Sequence, residues 1–373
     1  MKNEKVYAKD YAERRYLSSI EAAKYLNISV KELHKLTNEN IIQAEISCSG
    51  QKRYDLREIE RYMKIMNVMS ETTKDFEKKN LYKKEYVLEK KNTIQKIYVK
   101  NSMKMSEIED NSVHLMITSP PYFDAKMYSR ERIDDDLGNV HDLELWFKKI
   151  GKAWGEVYRV LQPGRKAFIN IMNLPVREKG TFRSLNLVGR TIDLCENLGF
   201  VFKRDIVWHK TNGVKAHFGT YPYPGGILIN NMHEFILEFE KPCVKGKKYS
   251  HLTAEQRERS KLDKEFWLSI KNSDVWLMNP EKSGDNRRHV APFPRILPYR
   301  LIKAYSYVGE TVLDPFLGSG TVLKVAMELE RNGIGYEINP EIAKDAYDSL
   351  IYDSLTLEPN NKKIYNETNS WEI

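Results

Sequence analysis

From Ile94 onward the chain alternates short apolar runs with longer amphipathic stretches. Ile94–Val99, Ser112–Ile117, Lys166–Ile171, Phe200–Trp208, His233–Phe239 and Gly333–Tyr336 are brief and mostly apolar, the pattern of strands buried in a sheet. Leu143–Leu161, Leu185–Leu198, Arg295–Tyr307 and Val322–Glu330 are predicted as helices; the last carries Val322, Leu323, Val325, Ala326 and Leu329 as its apolar side. Gln162-Pro163-Gly164 and Gly199 close the first two. Strands alternating with helices predict an α/β domain over residues 93–356, an open sheet with helices on both faces.

Ahead of that domain the texture changes. Residues 1–13 are polar. A serine before Ile20 caps a short helix whose apolar side is Ile20, Ala23 and Leu26, and Asn27-Ile28 turns the chain into a second helix, Val30–Asn38, capped by Ser29. Ile41–Ile46 and Gln51–Tyr54 bracket Ser49-Gly50 as a small hairpin, and Asp55–Met63 closes with a helix. These elements predict a small domain over residues 14–64. Residues 65–92 contain Lys78-Lys79, Lys83-Lys84 and Lys90-Lys91 among glutamates and read as a charged linker. Within the large domain, residues 244–288 are highly charged and lack a strand–helix repeat; residues 357–373 form a polar tail predicted to be disordered.

Two punctuated stretches carry the candidate chemistry. After the run ending at Ile117 comes Thr118-Ser119-Pro120-Pro121-Tyr122. Two consecutive prolines remove two backbone donors and fix two φ angles, so the strand must stop there. The result is a stiff corner at a strand's carboxyl end, where ligands sit in open α/β sheets, presenting a hydroxyl, free carbonyls and an aromatic ring. Much later, Thr311-Val312-Leu313-Asp314-Pro315-Phe316-Leu317-Gly318-Ser319-Gly320-Thr321 reads as strand, glycine turn and helix start. Gly318 and Gly320 let the backbone turn sharply and approach a ligand. The strand Gly333–Tyr336 then ends at Glu337, and a carboxylate about 20 residues past such a turn is where nucleotide-binding folds hold ribose hydroxyls.

Together these stretches resemble the amino-methyltransferases of DNA, which methylate exocyclic nitrogens using S-adenosylmethionine. Ser119-Pro120-Pro121-Tyr122 matches the family's catalytic motif, and Asp314-Pro315-Phe316-x-Gly318-x-Gly320-Thr321 its cofactor loop. The catalytic motif comes first, an order resembling the permuted β group. The resemblance implies a Rossmann-like methyltransferase sheet. It puts Asp314 near the methionine moiety, Glu337 on the ribose hydroxyls, and Phe293-Pro294 in a segment covering the methionine end. Asn339, also at this edge, is a further cofactor-site candidate, although capping of the next helix explains it adequately. The resemblance further suggests residues 244–288, with Arg287 and Arg288, as a target-recognition segment, and Val207–Lys210 as lying beside the base pocket, with Trp208 as its wall or as core. The small domain resembles a winged helix-turn-helix of the MerR/excisionase type, Gly50-x-x-Arg53-Tyr54 matching the wing end. It implies that Val30–Thr37 enters a major groove with Lys31, His34 and Lys35 exposed; a docking or dimerising domain is the competing reading.

For the reaction, a serine hydroxyl and the Pro120 carbonyl are the acceptors expected for the amino hydrogens, and Tyr122 is expected to stack on a flipped-out base. The family's adenine enzymes commonly carry Asp or Asn before Pro-Pro-Tyr, and its N4-cytosine enzymes Ser. A hydroxyl can donate to cytosine N3 while accepting from N4, so N4-cytosine is expected, with adenine N6 as the alternative. A DNA-binding regulator with an inactive fold, and an enzyme acting on RNA, are two further classes.

Composition narrows the partners. A formal charge of +8 over 373 residues suits a polyanion such as duplex DNA. Cys48, Cys195 and Cys243 have neither pairing nor metal spacing, which points to a reducing interior. Met1–Lys5 leads into no apolar core and no run approaches the ~20 apolar residues of a membrane span, so a cytoplasmic protein is expected. Asp134-Asp135-Asp136 reads as a solvated loop, and methyl transfer requires no metal. Adjacent His233 and Glu234 face opposite ways on a strand, which argues against a shared role. A cognate restriction endonuclease is a candidate partner, and the chain is expected to act as a monomer or homodimer.

Overall fold

Short elements with one apolar side are marginal in isolation and persist only by packing that side against another element. The computed structural model describes all residues except 1–15, 27, 39–40, 48–49, 64–82, 91, 124–132, 134, 179–180, 212–224, 226–228, 244–248, 281–292 and 357–373. Contacts divide the chain into two units, Met1–Tyr82 and Lys83–Ile373.

The first unit comprises β1 (Tyr16–Ser18), α1 (Ser19–Leu26), α2 (Val30–Asn38), β2 (Glu45–Ile46), β3 (Lys52–Asp55) and α3 (residues 56–63). Its antiparallel sheet runs β1-β3-β2. Leu17, Ala22, Ala23, Leu33, Ile42, Tyr54 and Ile59 form its core. The elements lie close to the expected spans, but the apolar side of α1 is Ala22 and Ala23 with Leu26 packed against it, while Ile20, expected inside, is 72% exposed. Lys31, Lys35 and Arg53 are exposed. His34 departs from expectation: it is half-buried, and its Nε2 lies 3.3 Å from the Ser19 hydroxyl, because its place on α2 turns the ring toward the start of α1.

In the second unit, β4 (Glu85–Lys90), β5 (Thr93–Tyr98), β6 (Val113–Thr118), β7 (Leu161–Ile171), β10 (Val201–Lys210), β11 (His233–Glu240), β12 (Val275–Met278), β13 (Thr311–Asp314) and β14 (Asn332–Tyr336) form one sheet. Its order is β12-β10-β11-β7-β6-β13-β14-β5-β4. The five neighbours from β7 to β5 are parallel; β11 and β4 run against their partners. Helices α4 (Leu143–Val160) and α5 (Leu187–Asn197) accompany the cluster of Met116, Ile169, Leu237 and Leu313. On the other face, α8 (Ile296–Tyr305), α9 (Thr321–Glu328) and α10 (Pro340–Thr356) accompany Leu115, Ile117, Phe168 and Val312. Consecutive residues of β6 and β7 divide between the two clusters as the strand period of two requires.

Three readings of the sequence change. Residues 85–90, assigned to the charged linker 65–92, are edge strand β4: Tyr86 is buried while Glu85, Val87 and Glu89 are exposed, and the charges hid a two-residue alternation. Residues 174–185 form an unforeseen hairpin, β8 (Leu174–Glu178) with β9 (Thr181–Leu185). The described part of 244–288, read from the sequence as lacking a strand–helix repeat, holds α6 (Ala254–Arg259), α7 (Lys264–Lys271) and β12, which extends the sheet beside β10. Arg287, Arg288 and the polar tail lie outside the described residues.

Candidate active site

β6 and β13, the strands that end in the two punctuated motifs, are neighbours in parallel register, with Leu115 opposite Val312 and Met116 opposite Leu313. Their carboxyl ends therefore open on one edge. Buried Thr118 donates its hydroxyl to Oδ1 of buried Asp314 at 2.7 Å, joining the two motifs although 196 residues separate them.

Past Thr118, Pro120 is buried, and Ser119, Pro121 and Tyr122 are half-buried. The Ser119 hydroxyl donates to the Tyr122 oxygen at 3.3 Å. The Tyr122 hydroxyl donates to Oε2 of Glu234 on β11 at 2.6 Å. Nδ2 of Asn170, on β7, donates to the same oxygen at 2.6 Å and lies 3.1 Å from the Tyr122 oxygen. Lys210, at the end of β10, pairs with Oε1 of Glu234 at 2.6 Å. Asn170, Glu234 and Lys210 thus belong to the corner; sequence reasoning missed Asn170 and Glu234, and gave Lys210 only as the end of a segment beside the base pocket, with no role of its own. A signal existed: Glu234 shares a strand face with core residue Ile236, and a carboxylate there requires partners. His233 does point elsewhere, its ring 5.0 Å from that of Phe235. Trp208 is core, 3% exposed, and its indole donates to the Met278 carbonyl at 3.0 Å. At the same edge, Met172, Asn173, Ser184, Asn230, Asn231, His233 and Phe235 line a cavity of about 300 Å³.

The candidate cofactor half is built around the turn between β13 and α9. Gly318 and Gly320 have φ of 51° and 75°, left-handed values that favour glycine. Gly320 precedes α9 without any side-chain cap, leaving the helix's first N–H groups open to a ligand. Pro315 is buried; half-buried Phe316 stacks edge-on against Trp154, with centroids 5.7 Å apart, and Thr321 Oγ1 lies 3.0 Å from Ser319 Oγ. Glu337, just past β14, accepts the Gly318 N–H at 3.0 Å and the Asn339 N–H at 2.9 Å. Asn339 in turn accepts the Glu341 N–H at 2.9 Å, the capping role expected of it. Phe293 and Pro294 are buried directly before α8.

Burial pushes both Asp314 and Glu337 up to about 7, although each accepts hydrogen bonds that favour its charged form. Neither carboxylate has a cationic partner among the described residues. Two such acids beside a glycine turn and an uncapped helix start fit a ligand that combines positive charge with ribose hydroxyls, as S-adenosylmethionine does. Asp136 is also not the solvated residue expected: it is 8% exposed and caps a short 3-10 turn, Leu137–Asn139.

At the opposite, amino end of the sheet, His114, His251 and Glu310 cluster closely enough to suggest a metal among the described residues. Buried Arg165 already donates to Glu310 and lies 3.3 Å from Nε2 of His251, so a cation occupies that position. The Thr311 N–H donates to Nδ1 of His114, and burial lowers this imidazole to about 4.

A family profile described as DNA methylase, of the N6/N4 type, matches residues 113–348, more than half of the chain. The chain belongs to the N6/N4 DNA methylase family. Among relatives of this N6/N4 methylase, the Type II methyltransferase M.MjaI of Methanocaldococcus jannaschii is 34% identical over 67% of this chain and 89% of its own. M.MthZI of Methanothermobacter thermautotrophicus is 33% identical over 71% of this chain and 78% of its own. A protein of Thermus thermophilus assigned as a DNA modification methylase, in complex with S-adenosylmethionine, superposes with a TM-score of 0.57 at 30% identity, covering 70% of this chain and 95% of that one. The PvuII DNA methyltransferase shares the fold, with a TM-score of 0.50 at 19% identity, covering 73% of this chain and 91% of that one. The methylase fold is thus an α/β one with a mixed central sheet, and the family and the complexed relative support S-adenosylmethionine as methyl donor. No described helix of the methylase is long and apolar enough to cross a membrane.

Proposed function

We propose that this DNA methylase transfers the methyl group of S-adenosylmethionine to the exocyclic N4 of a cytosine flipped out of duplex DNA, as the modification half of a restriction-modification pair. The observation that carries the base assignment is a hydroxyl, Ser119, at the head of the corner that the Thr118–Asp314 bond ties to the cofactor loop. When bound, S-adenosylmethionine supplies a methyl group activated by a sulfonium. Glu337 and the turn from Gly318 to Thr321 would hold its ribose, with Asp314, Pro315 and Phe316 near the methionine end under Phe293 and Pro294. Ser119 and the Pro120 carbonyl accept the amino hydrogens, favouring a tetrahedral nitrogen whose lone pair points at the methyl carbon. Before transfer the Ser119 hydroxyl donates to cytosine N3, which an Asp carboxylate in its place could not do, and it turns to Tyr122 as the methyl group is transferred. Tyr122, anchored through its hydroxyl, stacks on the base.

The first unit is assigned to duplex DNA on the strength of α2, which carries exposed Lys31 and Lys35, and of exposed Arg53 on the hairpin. The test is to incubate the protein with labelled S-adenosylmethionine and mixed-sequence duplex DNA, digest to nucleosides and identify the labelled one. Label on N4-methylcytosine is expected. Label confined to N6-methyladenine overturns the base assignment and leaves the family assignment intact.

A further inference from the structure

After methyl attack the amino nitrogen carries one proton too many, and a serine hydroxyl is too weak a base to hold it. The hydrogen bonds beneath Ser119 lead to a stronger one. Oε1 of Glu234 is taken by Lys210, at 2.6 Å, so Oε2 faces the corner. There it accepts from the Tyr122 hydroxyl and from Nδ2 of Asn170, both at 2.6 Å. With its own proton on Glu234, the Tyr122 oxygen offers its lone pairs to the Ser119 hydroxyl, 3.3 Å away. All the O–H bonds of the chain therefore point inward, from the half-buried corner to a carboxylate that is 7% exposed.

We propose that Ser119, Tyr122 and Glu234 form a proton relay, with Glu234 as the terminal acceptor and Asn170 and Lys210 holding it in line. The proposal rests on methylation of an exocyclic amino group and holds for either base. In the transfer, the nitrogen lone pair forms the N–C bond while the C–S pair stays on sulfur. An N–H proton passes to the Ser119 oxygen, the Ser119 proton to Tyr122 and the Tyr122 proton to Oε2 of Glu234; the N–H pair returns to nitrogen. The sulfonium charge and the carboxylate charge are both consumed, and Glu234 later releases its proton to water. Glu234 touches neither substrate nor cofactor; it acts through Tyr122 and Ser119.

The test uses Tyr122→Phe, Glu234→Gln, the double variant and Glu234→Asp in the full-length protein. Each is assayed by single-turnover methyl transfer to duplex DNA at saturating cofactor, in H2O and D2O, with the labelled nucleoside identified. Each of the first two is expected to slow transfer by about a hundredfold, the scale of positioned acid–base catalysis. S-adenosylmethionine Kd is expected to stay within about twofold, since that site is built by other residues. The double variant should be no slower than either single one, because both cut the same relay. The parent's solvent isotope effect should vanish in both, and Glu234→Asp should recover part of the rate. Parent-like rates in the two single variants, or slowed variants that keep the full isotope effect, overturn the relay. Label on N6-methyladenine in the parent, with the variants still slow, sinks the cytosine assignment and supports the relay.

Discussion

Asp314 and Glu337 illustrate how single residues tie stability to ligand binding. Their ordinary values are 3.8 and 4.5, and burial raises both to about 7. Between about pH 4 and pH 7 the folded protein therefore holds protons that the unfolded chain releases, so their contribution is full below pH 4 and is lost as pH rises through 7. A cationic ligand reverses the preference by favouring the charged carboxylates. Binding of S-adenosylmethionine should consequently release protons near neutral pH and weaken as pH falls below 7. Calorimetry in buffers of different ionisation enthalpy measures that release. Glu337→Gln should abolish part of it and weaken binding roughly ten- to hundredfold, the worth of a hydrogen bond to a charged group. At this scale Ser119, Tyr122, Asp314 and Glu337 were legible because local punctuation marks them: prolines, glycines and strand ends. Asn170 was not, and of Lys210 only its segment was, since the role of each appears only when a distant strand is laid beside it. Glu234 was set aside together with His233, although the alternation that separates the two is what sends Glu234 into the corner.

Among elements, the cofactor turn depends on its neighbour strand β14. The Leu317 N–H donates to the Tyr336 carbonyl at 2.8 Å, and the Leu317 side chain is buried over Gly335. A Cβ added to Gly335 would come within 2.6 Å of Leu317 Cδ1. Gly335→Ala should therefore overpack this contact at about 1–3 kcal/mol and shift the turn that carries Gly318. Thermal denaturation would show a lower Tm, and S-adenosylmethionine titration a weaker Kd than Tm alone explains; an unchanged Kd would uncouple the strand from the turn. Most strands and helices were readable from their periods, because each buries one face and needs a matching pattern. β4 and β12 escaped notice for different reasons. In β4, an edge strand, charged residues are tolerated and dilute the signal, whereas β12 is an apolar run of only four residues, Val275–Met278, too short to stand out. The hairpin β8–β9 belongs to neither face cluster as a whole, and four of the five residues of β9 are exposed.

For the molecule as a whole, the division at Tyr82 and Lys83 gives each unit its own core. A fragment of residues 83–373 should bind S-adenosylmethionine within about twofold of the full chain, since no cofactor contact is assigned before Lys83. It should bind duplex DNA more weakly, with a shallower dependence on salt, because the basic residues assigned to phosphates are removed. Fluorescence anisotropy over a salt series measures both; unchanged DNA affinity would leave the first unit a docking module. Fold class was legible at this scale, while strand order was not, because pairing of β6 with β13 leaves no mark in either stretch. That pairing also sets a timetable for synthesis. The ribosome delivers residues at about 5–20 per second, so Thr118 waits on the order of ten to forty seconds for Asp314 to emerge. Until then β6 has an open edge and the methyl donor has no complete site. A chain that stops short of Asp314 therefore lacks the donor site, and its exposed edge makes it a client for chaperones.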